Sequence, residues 1–394
     1  MTLKLISAKI KNFKSLGDVD LNFRDLTILV GANASGKSNC LEALRFLSRL
    51  LKDQELPSLK YMDSILRVGG KQIFYQILIE DDEDNNDKIE YKLVLSISEN
   101  NTLINKEYLL VNEIEVINII DGQGTVNDEN GENSLPYEFS EGDGLTLADV
   151  GKYGNKPITK KLASYIKDWK FYDVDPDSVR IHSRINKLNM IYKSLQHDER
   201  IPSLDTDASQ VEEVLQYWAR RDKSKFDEVS QELYECLNIR LNLVEDVEQP
   251  IQVIEEDGKK IALSNMSDGT LRLIAYFIML YQSDIPTLIS IEEPERNFHP
   301  GILQDIASMI KKLSKRTQVI FTTHSSQLLD CFSPEEISSE ISVILLSQKG
   351  EIGTKACLLD KLAENRDDFS DWMNDFGIGS AIYHSHLIEG VFAV

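Results

Sequence analysis

The chain has 394 residues, 42% of them hydrophobic, and carries 65 acidic against 43 basic side chains for a net charge of −22. That apolar content supplies a packed core, and the length predicts two domains or one large domain with an insertion. So acidic a balance argues against a protein whose whole surface clings to nucleic acid.

Cys40, Cys236, Cys331 and Cys357 form no Cys-x-x-Cys pair, so neither a disulfide framework nor a zinc site is expected. The most apolar stretch, Leu271 to Tyr281, contains Arg272 and is too short to cross a bilayer. Met1 to Lys14 alternates polar and apolar residues instead of forming a signal peptide. The expectation is a cytoplasmic protein with no membrane partner.

In chain order, Leu3 to Phe23 alternates apolar and polar residues and predicts two short strands around Lys11-Asn12-Phe13-Lys14-Ser15. Leu26 to Val30 is an apolar strand that runs into Gly31-Ala32-Asn33-Ala34-Ser35-Gly36-Lys37-Ser38, a complete G-x-x-x-x-G-K-[ST] pattern. A helix follows from Asn39 to Leu51, with Leu41, Leu44, Phe46, Leu47 and Leu50 at helical spacing. The glycines let the backbone curl so that its N–H groups face a β-phosphate, Lys37 reaches the β/γ oxygens and Ser38 ligates Mg²⁺. The helix adds its positive dipole end. A glycine-containing surface turn is the bland alternative, and the strand before and helix after argue against it. The expected ligands are a nucleoside triphosphate and Mg²⁺.

Gln72 to Ile79, Ile89 to Ile97 and Tyr108 to Ile120 alternate at period two between Asp/Asn/Gly clusters and predict an antiparallel sheet. Residues 80–90 and 121–149 are strongly acidic and read as solvated loops, the second part of a flexible excursion over 121–150. Residues 152–193 reverse the sign, with ten basic residues against four acids. They offer a docking face for DNA or a protein, against the blander reading of a solvated helix face salt-bridged to the acidic stretches. Ser209 to Arg220 and Ser224 to Leu237 read as helices too short for an extended coiled coil.

From Leu241 the pattern returns to strands, at Leu241 to Val244, Ile251 to Glu255 and Lys260 to Leu263, and then to a helix from Thr270 to Tyr281. Pro286 to Ile291, Gly301 to Leu313 and Gln318 to Thr322 continue as buried strand, helix and buried strand. This alternation predicts a parallel α/β core. The expected organisation is a nucleotide domain of residues 1–60 and 240–394, split by a β-rich and helical insertion, 61–239.

The apolar strand Leu288 to Ile291 delivers Glu292 and Glu293 at its C-terminal end, where open α/β sheets gather ligands. This is a Walker B shape: Glu292 would hold Mg²⁺ through water while Glu293 orients or deprotonates the attacking water. Val319 to Ser325 repeats the design and ends in His324, a hydrogen-bond donor for the γ-phosphate.

Together the Walker A loop, the Ser267-Asp268-Gly269-Thr270 turn, Glu-Glu-Pro-Glu (Glu292 to Glu295), Asn-Phe-His-Pro (Asn297 to Pro300) and Thr-Thr-His-Ser (Thr322 to Ser325) resemble the ABC-type AAA family ATPases. That group includes the SMC and RecF heads and, closest in motif wording, the OLD-like ATPases of bacterial defence systems. The resemblance covers residues 1–50 and about 240–330 well and the insertion loosely. It implies an ABC-type head with a mixed parallel core sheet, an antiparallel β-rich subdomain and a helical insertion.

It also implies that two copies clamp two ATP molecules, each offering a signature turn to the other's γ-phosphate. Ser267 and the backbone of Gly269 would make that contact, with Arg272 a weaker candidate, and Asn297 to Pro300 would form the D-loop at the seam. Glu292 stands where transporters have Asp, and Asp268 where the Leu-Ser-Gly-Gly-Gln signature has Gly. The Q-loop glutamine stays unplaced between Gln72 and Gln76.

OLD-like proteins often carry a Toprim nuclease that opens with a segment like Leu387-Ile388-Glu389-Gly390, but the chain stops at Val394, short of the required metal acids. The match is read as chance, and any destructive activity is expected from a separate nuclease or toxin. Three readings compete: a homodimeric or larger ATP-dependent switch governing that effector in antiviral defence, a RecF-like DNA repair ATPase, and a transporter ATPase. The signature wording and long β-rich insertion disfavour the third. The second needs a basic docking surface, which only 152–193 offers. The acidity and motif wording favour the first.

Overall fold

The computed structural model describes residues 3–81, 87–99, 101–138, 144–152, 156–183, 201–244, 250–337, 339–363 and 367–384. Its strands in chain order are β1 (Leu3–Phe13), β2 (Leu16–Asn22), β3 (Leu26–Val30), β4 (Gln72–Asp81), β5 (Lys88–Ile97), β6 (Thr102–Val111), β7 (Ile114–Ile120), β8 (Gln123–Asn127) and β9 (Ser134–Glu138). The later strands are β10 (Lys170–Tyr172), β11 (Arg240–Leu243), β12 (Ile251–Ile254), β13 (Lys260–Ala262), β14 (Leu288–Glu292), β15 (Gln318–Thr323), β16 (Ile341–Lys349) and β17 (Gly353–Leu358). Two compact units emerge: residues 1–170, 286–290 and 317–394, and residues 171–285 and 291–316. This partition differs from the one read off the sequence, because β4 pairs directly with β1 and carries the first unit's sheet onward into residues 72–138.

In the first unit the sheet order is β14-β15-β3-β16-β17-β2-β1-β4-β5-β6-β7-β8-β9. β3 lies parallel between β15 and β16. All five of its residues are buried, as a strand covered on both faces requires, and this is why Leu26 to Val30 reads as an unbroken apolar run. β1 is sheltered on one face and alternates accordingly. The helix Lys37–Asp53 buries Cys40, Leu41, Leu44, Leu47 and Leu51, and its Ser48 Oγ donates to Ile166 O of the helix Pro157–Lys167 at 2.8 Å. Gln318 ties β15 to β1: its amide donates to Leu5 O at 2.8 Å and Arg24 O at 3.1 Å and accepts from Leu5 N and Tyr165 Oη.

Two sequence expectations change here. Tyr108 to Ile120 is not one strand but the end of β6, a turn and β7, because Asn112 (φ 49°) and Glu113 (φ 69°) are both left-handed, the backbone of a tight two-residue hairpin. The described residues of 121–150 are ordered, not a structureless excursion. They contain the β8–β9 hairpin, turned at Gly131 (φ 75°), and a 3₁₀ segment, Thr146–Lys152.

Their acids have partners. Glu129 accepts from Ile158 N, Thr159 N and Thr159 Oγ1 and so caps the Pro157–Lys167 helix. Asp128 meets buried Lys156 at 3.3 Å, and Asp81 of the other acidic run pairs with Lys161. Two described residues of the basic stretch, Lys156 and Lys161, thus pair with the acidic stretches, the kind of salt bridge its blander reading expects. Arg184, Lys187 and Lys193 lie outside the described residues, as does the Leu387 to Gly390 segment.

The second unit packs the helices Val211–Arg221, Lys223–Leu237, Asp268–Tyr281 and Leu303–Ser314 with the antiparallel sheet β11-β12-β13. Thr270 through Leu280 are all buried, so the Asp268–Tyr281 helix is a central element surrounded on every side. Among the described residues no helix is long and apolar enough to cross a membrane. The four cysteines are free, and burial pushes the thiols of Cys40 and Cys236 up to about 12.

Two stability predictions follow from buried positions. Ala208 is fully buried with φ 63°, a conformation that costs a Cβ-bearing residue about 1 kcal/mol, so Ala208→Gly raises the urea midpoint instead of lowering it. Glu107 is buried, accepts from Thr146 N, Leu147 N and Tyr91 Oη, and has its carboxyl pKa raised above the ordinary 4.5 by burial. Its proton is held more tightly in the folded state, so its stabilising contribution is complete below about pH 4.5 and declines as pH rises through the folded value. Unfolding free energies of wild type and Glu107→Gln, measured across pH 4 to 8, will show the wild type losing ground to the non-titrating variant as pH rises.

Candidate nucleotide site

The site residues read from the sequence fall into two sets, one in each unit. In the first unit, β15 and β16 flank β3 with Thr323 and Leu345 both paired to Val30, so His324 and Gly31 take the next position past the ends of β15 and β3, level with Leu346 of β16. Ala32, Asn33 and Ala34 form an exposed arch, while Gly31, Ser35, Gly36 and Lys37 are buried beneath it and Ser38 is exposed. Ala34 (φ 63°) and Gly36 (φ 103°) supply the left-handed residues that curl the loop. Gly36 is required twice, since a Cβ there would also run into Thr354 Oγ1.

The Lys37–Asp53 helix starts at Gly36 with no side-chain cap and no acid in its first turn. Helix starts normally recruit a side-chain oxygen to their first N–H groups, and here no side chain takes that role. Ser35 Oγ is also buried without a hydrogen-bond partner in the protein. Lys37 is 6% exposed and its Nζ donates to Gly31 O at 2.7 Å and Ala32 O at 3.0 Å, which folds the cation over the loop's own carbonyls. A helix start without a side-chain cap, an orphaned hydroxyl and an adjacent buried cation suit a polyphosphate.

Asn39 Nδ2 donates to Ser15 Oγ at 2.7 Å, Ser15 Oγ bonds Thr354 Oγ1 at 2.8 Å, and Arg67 Nη1 donates to Ser15 O at 2.7 Å. Sequence reading missed Ser15, Arg67 and Thr354 as supports of the loop. No motif carries that signal, because Ser15 and Thr354 meet across 339 residues. His324 is exposed at the end of β15, and Ser325 caps the following turn by accepting from Leu328 N at 3.1 Å. Of the two Q-loop candidates, Gln76 gives its amide to Glu90 Oε1 at 2.5 Å, and Gln72 offers its main-chain carbonyl to Asn12.

In the second unit Glu292 ends β14 and Glu293 follows it with φ 45°. A non-glycine residue held there costs energy and recurs at functional sites. Ser267 caps the Asp268–Tyr281 helix, accepting from Thr270 N at 3.2 Å with its Oγ 2.9 Å from Thr270 Oγ1. Gly269 packs against the Asn297 loop, where an added Cβ would sit 3.0 Å from Asn297 O. Arg272 departs from expectation: it is only 3% exposed and faces Tyr276, so it does not reach out towards a second copy. Among the described residues no group of three or more His, Cys, Asp or Glu side chains has metal-binding geometry.

Residues 26–330 match the family described as "AAA domain, putative AbiEii toxin, Type IV TA system". The chain is 23% identical over 345 residues to an ATP/GTP phosphatase of Helicobacter pylori, covering 82% of this chain and 86% of that protein. Among solved structures, an SMC head bound to the C-winged helix domain of ScpA aligns with TM-score 0.53 at 16% identity, over 91% of this chain and 99% of that one. An SMC head from Pyrococcus furiosus, solved with the C-terminal domain of ScpA, aligns with TM-score 0.49 at 16% identity, over 93% and 99%. With the family model matching more than half of the chain and the head fold shared, the chain belongs to this family of AAA-domain ATPases and has the fold of an ABC-type P-loop ATPase head.

Proposed function

We propose that the protein is an ATP-operated switch: it binds and hydrolyses ATP, dimerises around it, and in doing so controls a separate effector in prokaryotic antiviral defence. The observation that carries the reading is the uncapped start of the Lys37–Asp53 helix with Lys37 buried beside it. Gly31 to Asn39 hold the triphosphate, and Lys37 leaves its two carbonyls to meet the β/γ oxygens. Ser38 and Glu292 hold Mg²⁺, which when bound neutralises developing phosphate charge. Glu293 orients and deprotonates the attacking water, and His324 donates a hydrogen bond to the γ-phosphate.

Ser267 and the Gly269 backbone would close over ATP held by a second copy. Thr270 N donates to Ser267 Oγ and Thr270 Oγ1 can do the same, an arrangement that leaves the Ser267 hydroxyl proton for a phosphate oxygen while the cap stays intact. The effector half of the proposal draws on the family's description, which names a toxin of a type IV toxin–antitoxin system. The SMC head bound to a ScpA domain is a precedent for a head of this fold holding another protein. DNA binding through 152–193 is the less favoured reading, because Lys156, Lys161 and Arg180 are each paired with an acid.

Three outcomes are expected. Lys37→Ala weakens ATP binding by roughly 100-fold in a fluorescent-nucleotide titration, since it removes the charge-assisted contacts to the phosphates; unchanged affinity would displace the site. Glu293→Gln retains ATP binding but slows phosphate release about 10²–10⁴-fold and leaves a persistent ATP-bound dimer in light scattering. Duplex DNA, titrated at low salt with and without ATP, binds no more tightly to wild type than to a variant charge-reversed across 152–193.

A further inference from the structure

Asp268 places a carboxylate directly beside Ser267, in a turn that the proposed function assigns to a phosphate. Unpaired, it would repel the ligand that the turn is meant to meet. The structure gives it a counter-ion from elsewhere in the second unit. Arg180, in the helical residues 176–183, donates from Nη2 both to Asp268 Oδ1 at 2.6 Å and to Met266 O at 3.0 Å, and from Nη1 to Asp177 Oδ1 at 2.9 Å. One guanidinium thus grips the chain on both sides of Ser267. The other oxygen of Asp268 accepts from Asn297 Nδ2 at 3.3 Å, and Asn297 is itself left-handed at φ 68° and packs its carbonyl against Gly269. The helical segment, the signature turn and the Asn297 loop are joined through two side chains, Arg180 and Asp268.

We propose that Arg180 is the positioning residue of the signature turn: it neutralises Asp268 and fixes the presentation of Ser267 and Gly269 to ATP held by a second copy. The proposal rests on the ATP-dependent dimer described above. Arg180 touches no substrate; it acts through Asp268 and Met266. A lysine cannot reproduce the two-point grip, because its ammonium is a point charge without the planar fork of a guanidinium.

The test uses the full chain in a Glu293→Gln background, with sedimentation velocity at saturating ATP and Mg²⁺ as the readout. Adding Arg180→Ala weakens dimerisation by about tenfold or more, the scale of an uncompensated like-charge contact, while ATP affinity of the dilute monomer is unchanged. Adding Asp268→Asn to that variant removes the repulsion and restores much of the dimer, and Arg180→Lys falls between the two. A merely structural arginine would lower the melting temperature without being rescued by neutralising Asp268. Dimerisation of the Arg180→Ala variant equal to its parent's overturns the proposal, as does failure of Asp268→Asn to restore it in a protein that melts normally. If the parent stays monomeric with ATP, or dimerises equally well when Ser267→Arg blocks the turn, the dimer reading falls and takes this proposal with it.

Discussion

A helix that starts without a cap organises the first unit. The Lys37–Asp53 helix starts without a side-chain cap at Gly36, a position that tolerates no side chain, and the strand before it has neighbours on both sides. The arrangement holds because β3 is locked between two parallel strands and the far face of the helix is sunk in the core, so that an unfavourable helix start is supported by packing. Lys37, folded back on the Gly31 and Ala32 carbonyls, gives its buried ammonium hydrogen-bond partners within the loop.

The phosphate loop was legible in the sequence because its chemistry is local: eight consecutive residues, a strand and a helix. The buried strands Leu288–Glu292 and Gln318–Thr323 were legible for a related reason, since burial on both faces forces an apolar run. Where the reading went wrong, backbone conformation or distant partners decided the outcome. Asn112 and Glu113 adopt left-handed angles that neither residue type demands, which split an apparent single strand. The acids of 121–149 looked like solvated loop because their partners, Lys156 and the start of the Pro157–Lys167 helix, are not written beside them. The supports of the phosphate loop at Ser15 and Thr354 are hidden for the same reason.

Charge behaves in the molecule differently from charge in the composition. The excess of acid suggests a repulsive surface, yet several acids serve as caps or as partners for buried donors: Glu129 at a helix start, Glu107 beneath the 3₁₀ segment, Asp128 against a lysine that is 1% exposed. The basic stretch contributes complementary charges at Lys156 and Lys161, which pair with Asp128 and Asp81. A stretch of one sign is best judged by where its opposite lies.

The pairing of β3 has a consequence for how the protein is made. Its two sheet neighbours, β15 and β16, lie nearly three hundred residues further along, and Thr354, which walls the glycine of the phosphate loop, comes later still. During synthesis the loop emerges early but has no flanking strands until the ribosome has passed about residue 358. Nascent chains therefore pass through a long interval in which the antiparallel strands β1, β2 and β4 to β9 are available to pair locally, while the nucleotide loop is not yet framed. The frame of the nucleotide loop therefore closes only after β15, β16 and Thr354 have been made.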